Sequence, residues 1–175
     1  MSTRIVASLS ALVVVMAAGV AQATVLFPGG GWSAFSFDGV GVPFADSFTF
    51  TLTAPTMFNI TDAFADGDQF DIVINGVDKG ATSTPLADGT SVGADYNAAF
   101  ASPKFSHGSY TLGPGEYTVT GSPLLSPFGS GGGAVELVAV ASGAPEPAAW
   151  AMMLIGLGGV GAAIRARRGA VPAAV

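Results

Sequence analysis

The chain has 175 residues, of which half are hydrophobic and only 10% are charged, so it has room for one domain besides any targeting segments. It contains no cysteine, which excludes disulfides, thiolate metal sites and a cysteine nucleophile. Between the two ends, only Lys79 and Lys104 oppose eleven acidic residues. This acidity argues against nucleic acid as a partner, because phosphate binding relies on Lys and Arg.

The first 23 residues have the pattern of a secretory leader. Arg4 provides the positive start and residues 5–20 are apolar, while Ala21 and Ala23 are the small residues that a leader peptidase recognises. We therefore expect a signal helix that is removed after Ala23, so that the mature protein begins at Thr24. The alternatives are a signal anchor and a core helix.

The segment 24–143 contains short runs in which hydrophobic and polar residues alternate. Each run predicts a half-buried strand, and the runs lie at 47–52, 58–60, 70–74, 109–112, 117–120 and 135–139. Asn75-Gly76 predicts a two-residue hairpin, residues 94–101 a short helix, and the glycine-rich run 129–133 a flexible loop. The sequence therefore predicts an all-β fold, an antiparallel β-sandwich.

Four acidic side chains cluster within ten residues of one another, namely Asp62, Asp66, Asp68 and Asp71. Carboxylates at turns could bind calcium, which takes several oxygen ligands, but the spacing is not that of an EF-hand loop. The alternative is the ordinary use of Asp in turns, where its side chain bonds the local backbone. We expect no other cofactor.

Two patterns could indicate chemistry in the same segment. Residues 89–93 fit the G-x-S-x-G string of serine hydrolases, and Asp95 and His107 follow Ser91 in triad order. That motif requires a parallel strand before it and a helix after it, whereas Asp88-Gly89 predicts a loop. We therefore expect no catalytic site and no enzyme.

Three aromatic residues near the start of the body, Trp32, Phe35 and Phe37, could form a surface on which sugars stack. Core packing is the favoured interpretation, because aromatic side chains dominate protein cores.

The C-terminal end combines three features. Glu146 lies between Pro145 and Pro147, which cannot be helix interior. Residues 148–164 then run without a charge, a length of about 25 Å as a helix, with Trp150 near the outer end. The basic residues that follow are Arg165, Arg167 and Arg168. With the uncharged run, they predict a transmembrane helix whose basic end stays cytoplasmic. A plain membrane anchor is the alternative to any more specific role of this tail.

Together, the stretch from Pro145 to Ala151, the apolar run and the arginines resemble the PEP-CTERM sorting domain in its P-E-P-x-x-W-A variant. Seven residues, 169–175, follow the last arginine, where the family usually ends. The resemblance implies Pro145, Glu146, Pro147, Trp150 and Ala151 as the sorting motif. It also implies recognition by an exosortase, a membrane transpeptidase-like protease that passes the body to the cell surface or outside, in bacteria that make extracellular polysaccharide.

The body is similar to the small β-sandwich bodies common among PEP-CTERM proteins. The matching residues lie at 60–64, 67–70, 75–76, 79–80 and 112–119. This resemblance implies a jelly-roll-like sandwich and no particular activity.

These observations predict four segments: a signal peptide at 1–23, a β-sandwich body at 24–143, a sorting and transmembrane segment at 144–168 and a short cytoplasmic tail at 169–175. We expect signal peptidase, exosortase and the inner membrane as partners before the body is released. The body would have a non-catalytic structural or binding role, toward extracellular polysaccharide. The alternatives are a secreted enzyme that acts on glycans or esters and a permanently anchored periplasmic protein.

Overall fold

A computed structural model describes residues 22–140 and 147–168. The second range is the helix α2 (Pro147–Arg168), and the first range contains one short helix, α1 (Tyr96–Ala101). The strands of the first range are β1 (Gln22–Val25), β2 (Ser33–Phe37), β3 (Asp46–Leu52), β4 (Thr56–Asp62), β5 (Phe64–Ala65), β6 (Gln69–Ile74), β7 (Val77–Ala81), β8 (Ser91–Gly93), β9 (His107–Leu112), β10 (Gly115–Leu125) and β11 (Gly131–Ala139).

The strands form two main sheets. The larger sheet has the order β1-β3-β10-β6-β7 and the smaller sheet the order β2-β11-β4-β9, while β5 and β8 make a short pair of their own. Pairing is antiparallel throughout except between β1 and β3, which are parallel. The predicted all-β class and antiparallel sheets are confirmed, and the jelly-roll-like arrangement stays a prediction.

The core lies between the two sheets and is rich in phenylalanine. Phe50 of β3 stacks on Phe58 of β4 with ring centroids 5.9 Å apart. Phe35 of β2 meets Phe70 of β6 edge-on at 5.4 Å. All four are nearly inaccessible to solvent, so the two sheets pack face to face as the period-two pattern predicted.

The Asn75-Gly76 hairpin is confirmed as the connection from β6 to β7. Both residues have positive φ, 51° and 75°, which is the geometry that a two-residue hairpin of the right twist requires. The Asn75 side chain also binds the neighbouring strand, because its Oδ1 accepts from Thr118 N–H at 2.8 Å and its Nδ2 donates to Glu116 O at 3.0 Å.

The prediction of a flexible loop at 129–133 is wrong for its last three residues, which begin β11. A Cβ atom on Gly131 would lie 2.6 Å from Cζ of Phe37, and one on Gly133 would lie 2.6 Å from Cζ of Phe35. The glycines are therefore required by the rings that fill the core at this end of the sandwich, and they extend a strand in spite of their low strand propensity.

The predicted short helix is confirmed as α1, which packs on the outer side of the smaller sheet with Ala99 fully buried. Asp95 caps its start, since its Oδ1 accepts from Ala98 N–H at 3.0 Å. Trp32 Nε1 donates to Asn97 Oδ1 at 2.9 Å, and its ring lies 5.5 Å from that of Phe100. Trp32 thus ties the start of β2 to the helix.

The tail forms α2, a helix of 22 residues. Its side chains from Trp150 to Arg165 are exposed. Within residues 22–140 and 147–168, no helix is both long enough and apolar enough to cross a membrane. The predicted transmembrane helix is therefore not confirmed, and the observed helix contains four glycines within its apolar run.

Candidate functional site

The predicted sorting residues fall only partly within the described chain. Pro145 and Glu146 lie outside it, while Pro147 is the first residue of α2. Trp150 is 57% exposed and Ala151 is exposed beside it. The aromatic side chain one turn into the helix is thus accessible from solvent.

The predicted basic cluster lies at the other end of α2. Arg165 is exposed, and Arg167 and Arg168 belong to the last turn of the helix. Residues 169–175 lie outside the described residues, as do Met1 to Ala21 of the predicted leader. Ala23, the other predicted cleavage residue, is in β1 and pairs with Ser47 of β3.

The four aspartates proposed as calcium ligands have separate surroundings. Asp66 is buried, and its Oδ1 accepts from Gly89 N–H at 2.8 Å while its Oδ2 accepts from Asp88 N–H at 3.3 Å. Asp71 lies half-buried on β6, where burial first and then the charge of Asp78 raise its pKa. The Asp66 carboxylate therefore holds a loop, whereas that of Asp71 lies beside Asp78 of β7.

Asp62 and Asp68 form the remaining pair. Asp62 is fully buried and Asp68 is 5% exposed. Burial first, and then the charge of Asp68, raises the pKa of Asp62 to about 8. Burial also raises the pKa of Asp68. Burial therefore favours the neutral form of both carboxyl groups.

Among residues 22–140 and 147–168, no three acidic or histidine side chains lie close enough together to hold a metal ion. The predicted set of four calcium ligands is therefore not assembled as one group, because loop amides bind Asp66 and Asp71 lies on β6 beside Asp78. Calcium binding itself stays a prediction.

The hydrolase string is not assembled into a triad. Ser91 is exposed on β8, where its Oγ accepts from Gly93 N–H at 3.4 Å, and Asp95 caps α1. His107 Nδ1 instead lies 3.0 Å from Phe105 O and 3.4 Å from Ser83 Oγ. The three residues therefore lack the mutual hydrogen bonds that a serine hydrolase requires.

The predicted aromatic surface divides between core and helix. Phe35 and Phe37 are 4% and 2% exposed and belong to the core, which confirms the favoured interpretation for them, whereas Trp32 packs against α1. A different aromatic residue, Phe64, is 47% exposed and has a φ of 63°. A left-handed conformation costs a non-glycine residue roughly 1–2 kcal/mol. No pattern in the sequence indicated that Phe64 would adopt this conformation or be exposed.

Phe64 borders a groove of about 610 Å³ on the smaller sheet. Gly132 forms the floor beside it, since a Cβ there would lie 3.3 Å from Cε2 of Phe64. Asp46, Ser36 and Ser130 contribute polar groups to the lining. We call this groove the Phe64 groove. It combines an exposed aromatic ring, accessible backbone at Gly132 and hydrogen-bonding side chains.

The described residues define a small all-β body of two packed sheets and, in the tail, an apolar helix with a basic end. Comparison with protein families matches residues 144–168 to the PEP-CTERM protein-sorting motif. The chain therefore carries this motif, and the resemblance noted in its sequence is confirmed.

Comparison with solved structures finds similarity to the pre-peptidase C-terminal domain of a collagenase from Bacillus anthracis. The TM-score is 0.39 and the sequence identity 10%, over 67% of this chain and 93% of that one. No curated protein sequence matches the chain.

Proposed function

We propose that this is an exported protein that an exosortase recognises through residues 144–168. The tail would hold the precursor at the inner membrane for a short time, and cleavage near Pro147 would release the body to the cell surface or the medium. The observation that carries the proposal is the sorting motif at these residues. The exposed side chains of α2 from Trp150 onward support it, because a tail read by a protease must be accessible.

Expression in a host with an exosortase, and in a matched strain without it, tests this proposal. We expect the first strain to produce a soluble form whose intact mass corresponds to a chain that ends near Pro147. In the second strain, we expect the protein to keep its tail and to remain in the membrane fraction. Pro145→Ala combined with Pro147→Ala should abolish the soluble form. Pro172→Ala is the matched control, because it makes the same change outside the motif.

A tail that stays attached in both strains would contradict the sorting proposal. Release of the body that persists in the Pro145→Ala, Pro147→Ala variant but is lost in Pro172→Ala would contradict it as well.

For the body, we propose a non-catalytic structural or binding role toward extracellular polysaccharide. The Phe64 groove supports this choice, because a sugar ring can stack its apolar face on an exposed aromatic side chain while hydroxyls and a carboxylate bind its edge. The separation of Ser91 from His107 supports a non-catalytic body over the alternative of an enzyme that acts on esters.

Affinity electrophoresis of the released body in gels containing the host's polysaccharide tests the binding role. We expect retardation that Phe64→Ala removes. Phe27→Ala is the matched control, because Phe27 is also exposed, at 68%, and does not line the Phe64 groove. Equal retardation of both variants would exclude the groove, and chain cleavage of the polysaccharide would favour the enzyme.

A further inference from the structure

The Phe64 groove contains one charged side chain among the described residues that line it, the carboxylate of Asp46. Its other polar side chains are the hydroxyls of Ser36 and Ser130, and the rest of the lining is phenylalanine, alanine and glycine. No lysine, arginine or histidine belongs to this described lining. The groove is therefore suited to a positively charged group and offers no cation to a negatively charged one.

Asp46 is positioned by the backbone around it. It begins β3 and is partly exposed, and the N–H of the preceding residue, Ala45, donates to Ser36 O at 3.0 Å. This bond keeps the start of β3 beside Ser36 of β2. Within residues 22–140 and 147–168, the one ion pair joins Lys104 to Asp88. Asp46 therefore has no cationic partner in the described chain, and its charge is available to a ligand.

The two lysines of the body lie away from this carboxylate. Lys104 Nζ binds Asp88 Oδ2 at 2.7 Å. Lys79 is on β7, which β10 and β6 separate from β3 in the larger sheet. Three strand spacings amount to roughly 14 Å, which exceeds the Debye length of about 8 Å at physiological ionic strength. Because eleven acidic residues accompany these two lysines between the ends of the chain, the net charge of the body also favours a cationic ligand.

The Phe64 ring is a second group that can bind a cation. Its side chain is 47% exposed and lies against the backbone at Gly132, where an added Cβ would be 3.3 Å from Cε2 of the ring. The left-handed backbone of Phe64, with a φ of 63°, is a cost of the kind that clusters at binding sites. An ammonium group is attracted to the face of an aromatic ring within about 6 Å of its centroid. The ring and the carboxylate of the groove thus attract the same kind of ligand.

We propose that the Phe64 groove binds polysaccharides whose sugars carry free amino groups, and that Asp46 determines this specificity. The inference rests on the polysaccharide-binding role proposed above and names the class of glycan. The ammonium group of the sugar binds the Asp46 carboxylate, its ring stacks on Phe64, and its hydroxyls bind Ser36 and Ser130. A uronic acid, which carries a carboxylate, is repelled by Asp46 and meets no cation in the groove.

Calorimetric titration of the full chain in a mild non-ionic detergent tests the proposal with three sugar oligomers of matched length. Glucosamine oligomers carry ammonium groups at mildly acidic pH, N-acetylglucosamine oligomers keep the same backbone without the charge, and galacturonic acid oligomers carry carboxylates. We expect the glucosamine oligomers to bind most tightly, the acetylated ones more weakly and the galacturonic acid ones not measurably. Added salt should weaken only the binding of the glucosamine oligomers.

Two variants that each remove one negative charge locate the effect. Asp46→Asn should weaken the binding of the glucosamine oligomers roughly tenfold, because a hydrogen bond to a charged group is lost. It should leave the affinity for the acetylated oligomers intact, which shows that the variant is folded. Glu116→Gln is the matched control and should change neither affinity, because Glu116 is exposed and pairs with Thr51, toward the other end of β3 from Asp46.

The outcomes separate this inference from the proposed binding role. Equal affinity for the glucosamine and acetylated oligomers, tighter binding of the galacturonic acid oligomers, or an unchanged preference in Asp46→Asn would overturn the inference. The preference of the unaltered protein and its salt dependence decide the question even if Asp46→Asn does not fold. Absence of any binding to the glucosamine oligomers would also overturn it, and the binding role falls as well if the host's polysaccharide does not retard the protein.

Discussion

Gly121 of β10 lies directly against the core ring of Phe44. A Cβ on this residue would lie 2.5 Å from Cε2 of Phe44 and 2.6 Å from the carbonyl oxygen of Asp71, whereas ordinary contact begins at 3.4 Å. The Phe44 ring has little space to retreat, since its centroid is 4.2 Å from that of Phe35 and 5.5 Å from that of Phe70. We therefore expect Gly121→Ala to lower the free energy of unfolding by about 3 kcal/mol, the upper end of the cost of overpacking.

Urea denaturation of the full chain in a mild detergent measures this loss through the midpoint at constant m-value. Gly113→Ala is the matched control. It has no atom within 4 Å of the added carbon and no positive φ, so it should be neutral or stabilise by up to about 1 kcal/mol through the unfolded chain.

A second variant tests the origin of the cost. If the Phe44 ring is the obstacle, Gly121→Ala combined with Phe44→Leu should destabilise by less than the sum of the two single changes. Equal midpoints for Gly121→Ala and Gly113→Ala would refute the reasoning.

Three further changes can be measured with the same denaturation assay. Asn75→Ala should cost about 2 kcal/mol, because it removes two hydrogen bonds and because alanine tolerates positive φ less well than asparagine, whereas Asn75→Gly should cost less. Asp66→Asn should cost about 1–3 kcal/mol and expose the loop at 85–90 to proteases, because an amide cannot accept from both Asp88 N–H and Gly89 N–H. Trp32→Phe should cost about 1 kcal/mol and speed amide exchange in α1, because the ring remains while the hydrogen bond to Asn97 is lost. If one of these variants is as stable as the unaltered protein, the contact invoked for that variant does not stabilise the fold.

The sequence was informative where a local pattern decides the structure. Alternation of period two identified β3, β6 and β10, because each strand buries one side against the opposite sheet. Asn75-Gly76 identified the hairpin because positive φ at both residues is a local requirement. The sorting motif was also readable, because proline, an apolar run and arginines act through their order along the chain.

Features that depend on distant partners were not readable. The glycines of β11 resemble a loop in composition, and only the rings of Phe35 and Phe37 explain why they form a strand. The exposure of Phe64 follows from its backbone conformation. The four aspartates look equivalent in sequence, but the fold buries Asp62 and Asp68 together and gives Asp66 and Asp71 other partners.

The parallel strand β1 spans the predicted leader cleavage site. The predicted leader cleavage site follows Ala23, which pairs with Ser47 of β3 in the middle of this strand. A peptidase binds its substrate as an extended segment with free backbone groups, so a cut at this bond requires β1 to be free of β3. The mature chain would then keep the pairs from Thr24 onward and the bond from Leu26 N–H to Thr49 O at 3.0 Å. Cleavage at the predicted site would therefore precede closure of this edge of the larger sheet.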